Sequence, residues 1–583
     1  MIVRGLAGIA LAVGALAVLS LYRETLGVPV SVLALLTTML FWVTQATSWN
    51  ILSGYSGYFS FGQAAYVGVG AYTTAVLFGR HRLDFGLTVL IAAGLCAVLA
   101  LGIGVLAFRL RSLRGEIFAL LTLAVPFILA ALARINGSID GGQGIIVAVP
   151  DFPASIGLFQ DFLYLVNLLV AGAAVAVAFL MARTRSGWAL ATIRDAEDVG
   201  EALGVATFRY KLTALVASAV IGGVGGSIFA LQIGFVTVDS VFTLTVPLFV
   251  IVMSVLGGRT HWIGPVLGAV LVVLLQDRLT AADLLGWQPV ILGGVLIAMV
   301  LAAPEGLYPR VRALLPASRR ARPVDPSELD IRMSPVDGAE TALVECDELT
   351  KNFGGVRAVA GLSLRIRAGE LVGLIGPNGS GKTTLVSLLA GSVRPTGGTV
   401  RIAGRDTTGL PPHRIAHLGV ARTYQIPRPF ASMTVRDNVA MAIMFGREPE
   451  RSLTRARRVA TGHLAMVGLE KLAHAAPAAL NLHQRQLLEI ARALATAPAV
   501  LLLDEALAGL NPAEIDNAVE VIRRIHASGV AIVIVEHLLR VVRAVATRVV
   551  VLDRGSVLAD GDPATVLADP AVVRAYLGKR SHA

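Results

Sequence analysis

The residues best suited to chemistry form a glycine-rich run that ends in lysine and threonine. The run follows an apolar segment predicted to be a strand, Leu371–Ile375, and precedes a helical stretch that starts at Thr384. Glycines let a backbone fold around phosphate groups, and the amide N–H groups of such a loop and of a helix N-terminus attract anions. This context predicts a nucleotide phosphate site. Its residues are Gly376, Pro377, Asn378, Gly379, Ser380, Gly381, Lys382 and Thr383.

Two carboxylates follow a second predicted strand, residues 499–503. Asp504 ends the strand and Glu505 comes next. With the phosphate loop (residues 376–383), Lys382 is expected to reach the β- and γ-phosphates and Thr383 to offer a hydroxyl to Mg²⁺. Asp504 is predicted to join the Mg²⁺ shell, and Glu505 to polarise the water that attacks the γ-phosphate.

The composition indicates the class of protein that carries this site. Of 583 residues, 55% are hydrophobic and 15% charged, against about 25% charged in soluble proteins. Residues 1–310 hold 16 Lys/Arg and 14 Asp/Glu, and the remainder hold 34 and 25. The chain is therefore predicted to be a membrane half followed by a soluble half. The chain has a net charge of +11 but contains no basic motif interleaved with aromatic residues. We therefore expect its basic segments to contact anionic lipid and not nucleic acid.

Apolar runs near the length of a spanning helix predict about ten spans in the first half. They lie near residues 5–22, 28–48, 60–79, 86–108, 117–133, 160–182, 211–235, two shorter spans within 241–276, and 286–303. The first run could instead be a cleaved signal peptide. Short-loop Lys and Arg residues place both termini and the soluble half in the cytoplasm.

The predicted domain organisation has three parts. A transmembrane domain covers residues 1–315, a linker rich in Pro, Arg, Ser and Asp covers 316–340, and a soluble domain covers 341–583. In the soluble part, short β-branched runs predicted to be strands, at 371–375, 499–503, 531–535 and 549–552, alternate with helical stretches. This alternation predicts an α/β sheet covered on both faces. The two cysteines fall in different halves and exclude a disulfide framework.

With these motifs at these spacings, residues 341–583 resemble the ATP-binding subunit of an ABC transporter. The resemblance implies that Phe353 stacks on adenine and that the first helical residues, including Thr384, hold the phosphates. It also implies that Gln425 senses the γ-phosphate beside Mg²⁺ and that His537 contacts the γ-phosphate.

One segment departs from the pattern of that family. The signature Leu-Ser-Gly-Gly-Gln is replaced by Leu480, Asn481, Leu482, His483 and Gln484. In ABC dimers this segment closes over the ATP of the opposite subunit. Two interpretations stay open, a drifted but working signature and a weakened composite site.

The membrane half resembles the permease of branched-chain amino acid ABC importers, on residues 50–72, Gly141 to Ile145, and the glycines from Gly257 to Gly268. Asn50, Ser60 and Gln63 are predicted to line the substrate pathway, because polar, glycine-broken spans are where transporters tend to place substrate. Packing of small residues between helices is the alternative.

A charged loop between residues 191 and 211 resembles the coupling helix that importer permeases insert into the ATPase near Gln425. Its predicted contact residues are Arg194, Glu197, Glu201 and Gly204. An ordinary solvated loop is the alternative.

The chain is thus expected to be a fused permease and ATPase of an ATP-driven importer for branched-chain or related amino acids in a bacterial inner membrane. A second permease subunit, a second ATPase subunit and a periplasmic solute-binding protein are the implied partners. Alternatives are import of amides or urea, export, and an ATP-binding regulatory subunit with weak hydrolysis.

Overall fold

A computed structural model describes residues 2–109, 115–282, 284–302, 305–314 and 342–577. The chain divides into two units. The first comprises Met1–Arg194 and Phe208–Arg320, and the second comprises Asp195–Thr207 and Ala321–Ala583. The predicted linker at 316–340 lies outside the described residues. Residues 195–207, which the sequence argument placed in the transmembrane domain, fall in the second unit.

The first unit consists mainly of long apolar helices. Short π-helical turns, Asn50–Gly54 and Ala75–Arg80, extend α2 and α3, and a small antiparallel pair joins β1 (Ile145–Ile146) to β2 (Phe235–Val236). The helices are α1 Ile2–Leu21, α2 Val30–Trp49, α3 Gln63–Thr74, α4 Phe85–Arg109, α5 Glu116–Ile135, α6 Phe159–Arg183, α7 Arg185–Ala202, α8 Thr207–Ile233, α9 Val238–Val241, α10 Thr245–Gly257, α11 Gly264–Ala281, α12 Gln288–Ala302 and α13 Leu307–Leu314.

Eight helices in the described part of the chain are long and apolar enough to cross a membrane, against the predicted ten. The predicted spans at 60–79 and 286–303 do form helices, but shorter ones. The first starts only at Gln63, because residues 57–62 are irregular, and with its π-helical turn it ends at Arg80, so that polar residues at both ends lower its hydropathy; α12 has 15 residues. Helix α2 packs against α6, α10 and α11, and its buried polar residues therefore lie inside the unit.

The second unit contains two sheets. The larger has the order β12-β11-β5-β10-β9-β8, with β12 antiparallel and the other strands parallel, and the smaller has the antiparallel order β4-β3-β6-β7. The strands are β3 Ala342–Phe353, β4 Val356–Arg367, β5 Leu371–Ile375, β6 Gly397–Ile402, β7 Arg405–Asp406, β8 Val420–Arg422, β9 Val500–Asp504, β10 Ala531–Val535, β11 Arg548–Asp553 and β12 Ser556–Gly561.

Nine helices are described in this unit besides the end of α7. They are α14 Lys382–Leu389, α15 Pro412–His417, α16 Val435–Phe445, α17 Leu453–Met466, α18 Leu482–Leu494, α19 Pro512–Ala527, α20 Leu539–Val545, α21 Pro563–Ala568 and α22 Pro570–Leu577. Strands β5, β9 and β10 are buried along their whole length, as their continuous apolar sequences require of central parallel strands.

The register of the three central strands positions the site. Val535 of β10 lies opposite Leu374 of β5 on one side and Asp504 of β9 on the other. The carboxyl ends of the three parallel strands therefore meet at one edge of the sheet. Ligands of open α/β sheets bind outside this edge.

Candidate functional site

The phosphate loop connects β5 to α14 in a conformation that demands glycine. Gly376, Gly379 and Gly381 have φ angles of +151°, +79° and +103°. A Cβ atom on Gly381 would lie 2.4 Å from the carbonyl oxygen of Ala358, and one on Gly376 would lie 2.2 Å from that of Leu552. No side chain fits at either position without a backbone shift, so the loop wraps closely on its neighbours.

Lys382 starts α14 and points its ammonium back across the loop. Its Nζ donates hydrogen bonds to the carbonyl oxygens of Gly376 at 2.8 Å and Pro377 at 3.0 Å. Burial lowers the pKa of Lys382, and the charges of Glu505 and Asp504 oppose that shift. Around it, Ser380 is buried and Thr384 half-buried, whereas Asn378 and Thr383 are exposed.

Asp504 and Glu505 extend from the end of β9. Arg422 Nη2 lies 3.6 Å from Asp504 Oδ2, while burial raises the pKa of Asp504 despite this arginine. Gln425 Nε2 donates to Glu505 Oε2 at 2.5 Å. Glu505 has a φ of +49°, a left-handed conformation that costs about 1 kcal/mol or more for a residue with a side chain. The structure thus joins Gln425 and Glu505, which are 80 residues apart in the sequence.

The two remaining predicted nucleotide contacts have exposed side chains. His537 follows β10, is 58% exposed, and has its Nδ1 4.0 Å from Oε2 of the buried Glu536. Glu536 accepts a hydrogen bond from the amide of Leu507, and burial raises its pKa. Phe353 ends β3 with a half-exposed ring beneath the ammonium of Lys351, 4.9 Å from the ring centroid. Each side chain is open to a ligand.

The altered signature forms the start of α18. Asn481 is its N-cap, and its side-chain oxygen accepts a hydrogen bond from the amide of Gln484 at 2.8 Å, while the side-chain oxygen of Gln484 accepts one from the amide of Asn481 at 3.1 Å. His483 Nε2 lies 3.1 Å from Asn517 Nδ2, and burial lowers its pKa. Leu480 is buried and Leu482 half exposed. The imidazole therefore contacts α19, a partner that the sequence did not indicate.

Segment 195–207 lies within the second unit, although its neighbours on both sides in the sequence belong to the first. The helix α7 is interrupted at Ala196, where φ is −162° and ψ is 86°. Asp195 Oδ2 accepts hydrogen bonds from the amide of Ser432 at 2.8 Å and from its hydroxyl at 2.6 Å. The hydroxyl of Tyr424 donates to the carbonyl oxygen of Asp198 at 3.0 Å.

The predicted contact residues of this segment divide between the units. Glu201 Oε1 lies 3.6 Å from His413 Nδ1, and Glu197 is half-buried. Gly204 has a φ of +97°, and a Cβ there would lie 2.1 Å from the carbonyl oxygen of Phe445. Arg194 belongs instead to the first unit, where its Cγ would lie 3.0 Å from a Cβ added to Gly57.

Sequence reasoning missed Ser432 and Tyr424 as contacts of segment 195–207. Neither belongs to a recognised motif, and the only available signal was that Tyr424 precedes Gln425. The pair Glu489 and Arg492 was missed for the same reason, because both looked like ordinary charged positions of α18. Both are buried, and Arg492 Nη1 donates to the carbonyl oxygen of Arg428 at 2.9 Å.

The predicted pathway residues of the first unit are buried and involved in packing. Gln63 Nε2 donates to Gln45 Oε1 at 2.7 Å and to Ser48 Oγ at 3.1 Å, which ties α3 to α2. The carbonyl oxygen of Ser60 accepts from the indole of Trp49 at 2.7 Å. Asn50 lies against Gly54, where a Cβ would meet its Oδ1 at 2.0 Å. In this conformation the side chain of Gln63 is used between helices, and a pathway role for these residues stays a prediction.

Comparisons with known proteins cover both halves of the chain. Residues 31–300 match the model described as branched-chain amino acid transport system / permease component, residues 359–508 match ABC transporter, and residues 556–582 match branched-chain amino acid ATP-binding cassette transporter. The high-affinity branched-chain amino acid transport ATP-binding protein BraF of Pseudomonas aeruginosa is 38% identical over 250 residues, which are 41% of this chain and 98% of that protein.

The chain belongs to the branched-chain amino acid ABC transporter family. The corresponding protein LivG of Escherichia coli is 36% identical over 252 residues, which cover 41% of this chain and 98% of LivG. Among solved structures, a nucleotide-free ATP-binding cassette from an ABC transporter is 29% identical, with 41% of this chain and 100% of that one covered and a TM-score of 0.37. The family matches confirm the predicted recognition and the predicted fold class of a helical membrane domain followed by an ABC ATPase domain, with about eight candidate spans among the described residues instead of ten. The protein is a membrane protein with an ABC domain that binds and hydrolyses ATP.

The donor set of the site fits ATP together with Mg²⁺. Ser380 Oγ and Asp504 Oδ1 are buried, and neither has a hydrogen-bond partner among the described residues. A buried polar atom left without a partner is costly, so both atoms suit a polar ligand at the phosphate loop. Carboxylate, hydroxyl and amide oxygens are also the hard ligands that Mg²⁺ takes beside phosphates.

Proposed function

We propose that this chain is a fused permease and ATPase subunit that couples ATP hydrolysis to the import of branched-chain amino acids. The observation that carries the proposal is that one polypeptide contains both a permease match at residues 31–300 and a nucleotide site at the edge of β5, β9 and β10. Residues 1–315 act as the permease, 316–340 as the linker and 341–583 as the ATPase. The ATPase lies in the cytoplasm of a bacterial cell, because the basic short loops orient the permease in its inner membrane.

Hydrolysis would use groups at the edge of the sheet where β5, β9 and β10 end, two of which, Gln425 and Glu505, are joined by a hydrogen bond. Lys382 and the amides of the phosphate loop bind the phosphates, and His537 contacts the γ-phosphate. Glu505 accepts a proton from the attacking water, which Gln425 helps to orient through its 2.5 Å hydrogen bond to Glu505. Mg²⁺, held by Thr383, Asp504 and Gln425, would neutralise charge on the phosphate oxygens.

Coupling to transport runs through two adjacent residues. Tyr424 holds the backbone of Asp198, and Gln425 holds the carboxylate of Glu505. A change at the ATP site that moves Gln425 therefore also moves Tyr424 and segment 195–207. That segment connects directly to α8, which lets ATP binding alternate the access of the permease. A second permease, a second ATPase and a periplasmic solute-binding protein complete the transporter.

Uptake by the reconstituted complex tests the proposal. The chain is placed in proteoliposomes with its partner subunits and binding protein, ATP is enclosed, and uptake of labelled leucine, isoleucine and valine is measured beside an amide and urea. ATP-dependent accumulation of the branched-chain amino acids is expected. Preference for the amide or urea would replace the substrate class, and ATP-dependent efflux would replace import.

A further inference from the structure

The last described helix brings a tyrosine hydroxyl to the first residue of the phosphate loop. Tyr576 of α22 accepts a hydrogen bond from the amide N–H of Gly376 at 2.7 Å, across 200 residues of sequence. The hydrolysis mechanism does not use Tyr576, and the sequence did not indicate it. Its segment, residues 556–582, is the part of the chain that matches the third family model.

The ring of Tyr576 is fixed by apolar packing. Half-buried itself, it packs against an apolar cluster that links the C-terminal helices to the central sheet. Helix α22 is held at its start by Asp569, whose carboxylate accepts from the amide of Ala571 at 2.7 Å. The hydroxyl is therefore an acceptor in a set position. The buried members of the cluster are Ile375, Val542, Val549, Val551, Val566 and Val572.

Gly376 links this hydroxyl to the lysine of the loop. Its N–H donates to Tyr576, and its carbonyl oxygen accepts from Lys382 Nζ at 2.8 Å. Gly376 has a φ of +151°, and a side chain at this position would collide with the carbonyl oxygen of Leu552. A side-chain contact therefore cannot position this residue. Because Gly376 has no side chain to anchor it, the Tyr576 hydroxyl is the contact that orients its amide.

We propose that Tyr576 is a positioning residue for ATP binding, since its hydroxyl fixes Gly376 and thereby the place of Lys382. This inference goes beyond the proposed transport function and assigns a role to the C-terminal segment of the ATPase. The carboxylate of Glu505 follows the end of β9 and is not part of the contact between Tyr576 and Gly376, so loss of the hydroxyl should weaken nucleotide binding and leave the hydrolytic step unchanged.

Tyr576→Phe tests the proposal, because it keeps the ring and removes only the acceptor. Leaving an amide without its partner costs about 1–2 kcal/mol, which is the most that restoring the place of the loop can cost when ATP binds. KM for ATP should therefore rise, by up to about 5- to 30-fold at about 1.4 kcal/mol per tenfold. The turnover number kcat of the complete transporter should stay within about twofold. Binding of a fluorescent ATP analogue to the full-length chain should weaken by the same factor as KM rises.

Thr547→Val is the matched control. The Thr547 hydroxyl accepts from the amide of Leu371 at 3.0 Å, at the other end of β5. Both variants leave one backbone amide of β5 or its loop without a partner and should lower thermal stability to a similar extent, but Thr547→Val should not change KM. An unchanged KM in Tyr576→Phe, or an equal rise in Thr547→Val, would overturn the proposal.

Hydrogen exchange on the unmodified chain gives a test that does not depend on whether a variant folds. The Gly376 amide should be protected from exchange in the absence of nucleotide, because its N–H donates a hydrogen bond to the Tyr576 hydroxyl. Rapid exchange at Gly376, with the amides of β5 still protected, would show that the contact does not hold the loop.

Discussion

Replacing Asp195 by alanine should uncouple ATP hydrolysis from transport. One carboxylate oxygen of Asp195 accepts from both the amide and the hydroxyl of Ser432, at 2.8 Å and 2.6 Å. A hydrogen bond to a charged acceptor contributes about 1.5–3 kcal/mol, and water competes at this half-exposed position, so the pair of bonds is expected to contribute about 1.5 kcal/mol. The variant should weaken the attachment of segment 195–207 about tenfold.

The assay compares two rates in the same proteoliposomes, labelled leucine taken up and phosphate released. Leucine transported per ATP hydrolysed should fall about tenfold in Asp195→Ala, while ATP hydrolysis stays near the wild-type rate because the two hydrogen bonds that are lost go to Ser432, which is not one of the predicted catalytic residues. Ser432→Ala keeps the backbone bond and should give an intermediate ratio. If the transport ratio of Asp195→Ala equals that of the wild type, segment 195–207 does not transmit the coupling.

Three further predictions follow from buried or altered groups. Arg492→Ala leaves the buried carboxylate of Glu489, now 3.4 Å from the guanidinium, without its partner, and should lower the free energy of unfolding by about 3–5 kcal/mol in a denaturant titration. Burial raises the pKa of Glu536, so its contribution to stability is present at low pH and is lost as pH rises through the folded pKa. Glu536→Gln should flatten that decline in urea titrations at several pH values. Asn481→Ser combined with His483→Gly keeps a helix cap and should speed phosphate release if the altered signature limits turnover, whereas an unchanged rate would show that the native segment works equally well.

The sequence predicted the elements that depend on local pattern. Continuous apolar runs predicted strands at 371–375, 499–503, 531–535 and 549–552, and β5, β9, β10 and β11 lie there within one residue at each end. The phosphate loop was recognisable because its chemistry needs consecutive residues. Glu505 was predicted from the strand that precedes it and Gln425 from the family resemblance, and a hydrogen bond joins their side chains.

Contacts between segments distant in the sequence could not be predicted, because no local sequence pattern indicates them. Ser432 acts through two hydrogen bonds to Asp195 and Tyr576 through one to Gly376, and both partners are more than 190 positions away. Serine or tyrosine at an exposed or half-buried position has no distinctive spacing. The span count exceeds the eight candidate spans among the described residues, because hydropathy runs do not fix where a helix starts and ends. The helix predicted at 60–79 runs from Gln63 to Arg80 and so includes polar ends, and the one predicted at 286–303 has 15 described residues. For Gln63, an amide inside a membrane helix suits both substrate binding and helix packing, and only its contacts with Gln45 and Ser48 show the packing.

The measurement that tests the central claim most directly is leucine uptake by the complex carrying Glu505→Gln. The amide keeps the shape of the side chain but cannot accept the proton of the attacking water, so ATP-dependent uptake should fall by about 10²-fold or more. Lys382 and the phosphate loop are unchanged, and ATP affinity should stay within about threefold. Uptake near the wild-type rate, or loss of ATP binding along with uptake, would contradict the account of an importer driven by hydrolysis at Glu505.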